Sequence, residues 1–318
     1  MLFAILKMVI GIVVLAVGAD RFIDATLALA KRFNVPPLIA GVVLIGFGTS
    51  VPEIIVSSTA ALKGTINIAI GNAIGSNIAN IGLVLGVTGL IRALSLQPTL
   101  LKREFSLLWI ITLIVGLLLM NHHLARWEGV VIVALLAFYL FGVIYLSKKH
   151  PVPESEPIEI SAKFQKLSVP IVSLWWLVGL ALMLLGAELM VSGAIVIAHQ
   201  LHISDLVIGL TVVAVGTALP ELAASITAAI KGQDALVFGN VIGSNVFNTL
   251  AVIGVPAIIA PGVLPSELFR RDYLIMIGFT ALLWIFAWSQ RKNLRFTRLQ
   301  AGILLLCYFI YTAVLYFN

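Results

Sequence analysis

Two glutamates stand in matching surroundings 168 residues apart, in Gly48-Thr49-Ser50-Val51-Pro52-Glu53 and Gly216-Thr217-Ala218-Leu219-Pro220-Glu221. Each lies well inside an apolar run whose middle holds no Lys or Arg. A carboxylate there is costly unless it is hydrated, neutralised or paired. Without a basic partner, the acids are either protonated or holding a cation. If both meet at a membrane midplane, two like charges in low dielectric cannot both stay ionised and empty. A divalent cation balances both. The neighbouring side chains suit a hard cation. Thr49, Glu53 and Ser57 recur at every fourth position, which puts them on one helix face, and Thr217, Glu221 and Ser225 repeat the pattern. Asn72, Ser76 and Asn80 form another such stripe, as do Asn240, Ser244 and Asn248. Converging on one pocket, the four stripes offer carboxylate, hydroxyl and amide oxygens. Cages of about 6–8 oxygens suit Ca²⁺, and smaller subsets suit Na⁺. The lack of a Cys/His cluster disfavours zinc and copper.

The elements that must position these residues are membrane helices. The chain is 61% hydrophobic and 11% charged, against about 45–50% and about 25% in soluble proteins. That composition excludes a soluble enzyme and a disordered chain, and the single cysteine, Cys307, excludes an intrachain disulfide. A span needs about 20 apolar residues. Runs of that order fall near 3–20, 36–62, 65–91, 104–121, 126–146, 170–190, 204–230, 234–260, 272–289 and 300–317, which predicts ten spans in an all-α integral membrane protein. With the loops numbered in order, the odd ones hold 15 Lys and Arg and the even ones 4. The excess places odd loops in the cytoplasm and both termini outside. The net charge of +6 is thus a topology signal, and no nucleic-acid partner is expected. Asp20, Asp24 and Glu188 fall near span ends and are expected at the interface.

The chain reads as two copies of one unit. Between 36–86 and 204–254, 21 of 51 positions are identical without a gap. Gly71-Asn72-Ala73-Ile74-Gly75-Ser76-Asn77 matches Gly239-Asn240-Val241-Ile242-Gly243-Ser244-Asn245, and Gly18-Ala19-Asp20 matches Gly186-Ala187-Glu188. The first span therefore has a counterpart and reads as retained rather than as a cleaved leader. Five spans per half is an odd number, so the second half enters from the opposite side. Inverted repeats of this kind are common in transporters, with the site at the midplane. The expected organisation is a five-helix repeat over 1–147, a short cytoplasmic linker over 148–168 and an inverted five-helix repeat over 169–318. Pro52 and Pro220 should free or displace the carbonyls of Gly48 and Gly216. Gly71/Gly75 and Gly239/Gly243 should let helices approach closely.

The paired Gly-Thr-Ser-x-Pro-Glu and Gly-Asn-x-x-Gly-Ser-Asn motifs resemble the α-repeats of sodium/calcium exchangers in the Ca²⁺:cation antiporter superfamily. The compact bacterial inner-membrane members are the most similar. The resemblance implies ten helices in two inverted halves. It implies ion ligands at Glu53, Glu221, Thr49, Thr217, Ser50, Ser76, Ser244 and Asn80, with backbone carbonyl ligands at Gly46 and Ala214. Ala218 stands where the family has Ser, so one hydroxyl is lost. Asn248, the second-half counterpart of Asn80, stands where potassium-dependent relatives carry Asp, which argues against potassium co-transport. The segment 147–168, with Pro151, Pro153, Pro157, Glu154, Glu156 and Glu159, is too short for the regulatory calcium-sensing loop of animal exchangers and reads as a solvated linker.

The expected activity is exchange of Ca²⁺ for Na⁺ by alternating access. Glu53 and Glu221 hold either ion in turn, and the first and sixth spans slide to open each side. The chain is expected to act as a monomer in the lipid bilayer, with no cofactor besides the transported ions. A proton/calcium antiporter is the nearest alternative; such relatives carry Glu in the Gly-Asn segment, where this chain has Gly75 and Gly243. A cation channel is the alternative from another class. An intramembrane enzyme is disfavoured, since neither His-Glu-x-x-His nor Gly-x-Ser-x-Gly occurs.

Overall fold

The apolar runs fold as helices, the local structure that satisfies its own backbone N–H and C=O groups within one segment. The computed structural model describes residues 2–98, 100–149, 161–201 and 214–317. Among these lie α1 (Leu2–Arg32), α2 (Pro37–Leu62), α3 (Ile66–Ile91), α4 (Phe105–Leu119) and α5 (Arg126–Lys149) in the first half. The second half has α6 (Val169–Gln200), α7 (Leu219–Ile230), α8 (Asp234–Ile259), α9 (Leu268–Ser289) and α10 (Arg298–Phe317). Eight are long and apolar enough to cross a membrane, and α4 and α7 are apolar but shorter. The prolines and glutamates of the expected linker lie outside the described residues, as does the stretch before Ala214. Large apolar side chains such as Leu2, Phe138, Leu117 and Leu299 cover the outer surface, as a protein solvated by lipid requires. This is a membrane protein.

The helices α1 and α6 run well past the predicted ends at 20 and 190. At 1.5 Å per residue each is about 46–48 Å long, against about 30 Å of hydrocarbon. Hydropathy falls at Asp20 and Glu188, but the backbone stays helical, with Asp20 beside Lys231 and Glu188 at a cavity instead of in lipid. The two helices pack antiparallel on small residues. A Cβ on Gly11 would lie 2.8 Å from the Gly186 carbonyl, one on Gly18 2.6 Å from the Met183 nitrogen, and one on Gly193 2.8 Å from the Ala4 carbonyl.

Four two-residue strands modify the expected all-helical fold. β1 (Leu94–Ser95) pairs antiparallel with β4 (Arg295–Phe296), and β2 (His123–Leu124) with β3 (Gly262–Val263). β3 is β1 moved by 168 residues, while β2 and β4 occupy the loops between the fourth and fifth helices of each half. Each ladder therefore takes one strand from each half. One joins the third loop to the ninth, the other the fourth to the eighth. Arg92 pairs with Asp234 at 3.6 Å, joining the third loop to the start of α8. The Arg32 guanidinium donates to the Phe164 carbonyl at 3.1 Å, joining the first loop to the fifth. Each of these contacts ties odd to odd or even to even.

The repeat extends to local irregularities invisible in hydropathy. A wide π-helical turn at Asn80–Val84 recurs at Asn248–Val252, and one at Leu100–Glu104 recurs at Leu268–Tyr273. Gly64 and Gly232 both take left-handed conformations, with φ of 77° and 72°, in the turns after α2 and α7. The Gly-Asn helices α3 and α8 are the most enclosed elements, so their motifs face the middle of the bundle.

Candidate ion-binding site

The helix α2 brings Thr49, Ser50, Glu53 and Ser57 to a single buried face. It passes through Pro52 without breaking, and a π-helical turn at Gly41–Ile45 precedes Gly46. Two glycines let α2 approach α8 backbone to backbone. A Cβ on Gly41 would lie 2.9 Å from Gly239 Cα, and one on Gly46 2.8 Å from both Gly243 Cα and the Ser244 nitrogen. This approach sets Thr49 against the second Gly-Asn motif. The Thr49 hydroxyl donates to the Ile45 carbonyl at 3.1 Å, lies 3.2 Å from Ser244 Oγ, and reaches Asn240 Oδ1 at 3.4 Å.

The two stripe asparagines are oriented alike. Asn240 Nδ2 donates to Ser225 Oγ at 2.9 Å and to the Glu221 carbonyl at 3.1 Å. Asn72 Nδ2 donates to Ser57 Oγ at 3.0 Å. Both amide nitrogens are used within their own half, and Asn240 Oδ1 accepts from the Thr49 and Ser244 hydroxyls at 3.4 Å. The resemblance did not single out Asn72 or Asn240, or their serine partners. Their place in the polar stripes was the available signal.

Between these helices polar atoms are buried without partners. Glu53 and Glu221 are 4% and 2% exposed, and Thr49, Ser50 and Ser244 are fully buried. Among the described residues Glu53 Oε2, both carboxylate oxygens of Glu221, Ser50 Oγ, Asn80 Nδ2 and both amide atoms of Asn248 make no hydrogen bond. Glu221 lies within electrostatic reach of Glu53. Buried polar groups are normally satisfied, and two buried acids with unpartnered oxygens and, among the described residues, no basic neighbour are suited to a cation. The donors are carboxylate, hydroxyl and amide oxygens, which fit Ca²⁺ and Na⁺ as cargo. Asn80 and Asn248 each open one of the paired π-helical turns, a distortion that often marks functional positions.

The second half differs from the first. A single helical turn, Ala214–Thr217, ends at Ala218, whose N–H bonds to the Val215 carbonyl at 3.1 Å, and α7 starts afresh at Leu219. Pro220 thus sits in a first turn, where its missing N–H costs nothing, rather than in a helix interior like Pro52. Thr217 is exposed where Thr49 is buried. It lines two cavities that also share Asn72. The larger, about 410 Å³, includes Pro52, Glu53, Glu188 and Pro220. The other, about 310 Å³, includes Ser76, Asp272, Tyr308 and Tyr311. Gly71 and Gly75, expected to promote close packing, line the second cavity instead, and among the described residues nothing lies within 4 Å of a Cβ built on either.

The acids expected at the interface separate. Asp24 is buried on α1 and pairs with Lys231, which also lies 2.8 Å from Asp20. Glu188 is exposed at the rim of the larger cavity.

Residues 3–145 and 171–317 match the family model described as sodium/calcium exchanger protein. The chain is 40% identical to a putative antiporter, CaxA, of Alkalimonas amylolytica over 99% of each chain. It is 33% identical to the inner membrane protein YrbG of Escherichia coli (strain K12), over 91% of this chain and 90% of that one. Its structure superposes on that of the sodium-calcium exchanger NCX_Mj soaked with Na⁺ and Sr²⁺, with a TM-score of 0.82, 32% identity and 98% of both chains covered. Matched in both halves by that family model, the chain belongs to the sodium/calcium exchanger protein family.

Proposed function

We propose that this protein is an antiporter that moves Ca²⁺ against Na⁺ through one site built around Glu53 and Glu221. The observation that carries the reading is the pair of buried carboxylates, of whose four oxygens three lack a partner, together with buried Thr49, Ser50, Ser244 and the two asparagines. A Ca²⁺ ion balances both charges. Sodium ions can occupy the same oxygens only when calcium is gone, so one carboxylate pair couples the two flows. Ser76 and Thr217 join the site from the cavity side, with the carbonyls of Gly46 and Ala214 completing it.

The ten helices are read as two inverted repeats, 1–147 and 169–318, joined by a cytoplasmic linker over 148–168. The contacts that tie odd loops to odd and even to even support this reading. Odd loops then face the cytoplasm, both termini lie outside, and the bacterial inner membrane is the expected location. Both cavities open toward the half of the molecule that carries the even loops, since α3 begins and α6 and α10 end there. The conformation is therefore outward-facing, and the antiparallel pair α1 and α6 slides against the remaining helices to open the other side. The working unit is a monomer.

Calcium flux into proteoliposomes holding the full chain tests the reading. An outward sodium gradient should drive calcium uptake and a pH gradient should not. Uptake driven by the pH gradient alone would make protons the coupling ion. Conductance without counter-transport would make the site a channel.

A further inference from the structure

The repeat pairs a made ionic contact at one end of the molecule with an unmade one at the other. Lys231 sits in the turn after α7, beside left-handed Gly232. Its ammonium binds Asp20 at 2.8 Å and also Asp24, pinning α1 to the α7–α8 turn. Asp20 additionally faces Arg21 at 3.9 Å. A shift of 168 residues carries Lys231 to Lys63, beside left-handed Gly64, and Asp20 to Glu188 on α6. Lys63 and Glu188 are both exposed, and neither makes an ion pair among the described residues. Glu188 lies instead at the rim of the larger cavity, with Val56 two turns of α2 before Lys63.

We propose that these residues form two ionic latches made in alternation: Lys231 with Asp20 and Asp24 in the conformation described, and Lys63 with Glu188 in the opposite one. The inference rests on the alternating-access reading. Its mechanics follow from the packing of α1 on α6. Gly11, Gly18, Gly186 and Gly193 hold the two helices too close to slip past one another, so they move together. Because they are antiparallel, Asp20 and Glu188 lie toward opposite ends of the pair. A slide that draws Asp20 away from Lys231 carries Glu188 toward Lys63.

The latches are unequal. Where the first half has buried Asp24, the second has Ser192, whose hydroxyl is bonded to the Leu189 carbonyl at 3.2 Å. Opening the Lys231 latch strands a buried carboxylate, a large cost, while the Lys63 latch has one acid. The imbalance holds the site open on the even-loop side.

The test uses the full chain in liposomes, with Cys307→Ser and a reporter Leu184→Cys in the larger cavity. Labelling by a membrane-impermeant maleimide reads conformation, and sodium-driven calcium flux in the same vesicles reads transport. Asp20→Asn and Lys231→Gln should slow labelling by about five-fold or more, the effect of a modest shift in a two-state equilibrium. Ser192→Asp, which adds the missing acid, should slow it too, and Lys63→Gln should reverse that slowing. Asp20 and Ser192 are only partly buried, so these variants stay informative if Lys231→Gln misfolds. Unchanged labelling in Asp20→Asn and Ser192→Asp, with normal flux, overturns the latch. Absence of sodium-driven flux in the parent overturns the antiport reading.

Discussion

The two Gly-Asn motifs share six of seven residues, yet one is sealed and the other lies open. On α8, Gly239 and Gly243 press against the backbone of α2, and Ser244 and Asn240 bond across to Thr49. On α3, Gly71 and Gly75 line a cavity, and Ser76 and Asn72 share it with Thr217. The local chemistry is the same, so the difference belongs to the conformation. Under the proposed alternating access, exchanging the sealed and the open arrangement would move the opening from one side of the site to the other.

The largest effect on this comparison should come from the acids that both halves share. Glu53→Gln or Glu221→Gln should abolish sodium-driven calcium uptake while leaving membrane insertion and detergent-extracted yield intact. Normal flux in either variant removes the carboxylate pair from the mechanism. Calcium should also stabilise the parent protein. At about 100 times its Kd the gain is about 2.7 kcal/mol, read as a rise in Tm in detergent. Glu221→Gln should erase that rise.

Next comes the contrast between the glycines. Gly243→Ala forces a methyl into the backbone of α2 and should lower stability by about 1–3 kcal/mol. Gly75→Ala meets open space and should change stability by no more than about 0.5 kcal/mol. Equal losses of Tm in the two variants would mean that the motifs are packed alike. The smallest expected effect separates the threonines. Thr49→Val removes a hydroxyl bonded across to Ser244 and Asn240 and should destabilise by about 1–3 kcal/mol, whereas Thr217→Val, at an exposed position, should cost less than that. Chemical denaturation of each variant checks the order.

Much of the site was legible because it rests on residue type and spacing. Glu53 and Glu221 are conspicuous as acids in apolar runs, and a spacing of four residues puts hydroxyls and amides beside them whatever the helix packs against. The extra turns of α1 and α6 were not legible, because hydropathy registers Asp20 and Glu188 as ends without knowing that Lys231 or a cavity will receive them. The break at Ala218 was equally hidden. Pro52 and Pro220 occupy the same place in the repeat, and nothing local tells a proline inside a helix from one that starts a helix.

The amino-acid sequence alone determined the apolar helices, the internal duplication and the pair of unpartnered acids. All of these follow from the cost of polar groups in lipid and from helical periodicity, which act over a few turns of chain. Tertiary structure alone decided which half is closed, that α1 and α6 form one antiparallel pair, that Thr49 meets Ser244, and that Asp24 rather than Glu188 is paired. Those features depend on contacts between segments more than 150 residues apart. Where the two halves carry the same residues, as in the paired Gly-Asn motifs, packing is what breaks their symmetry.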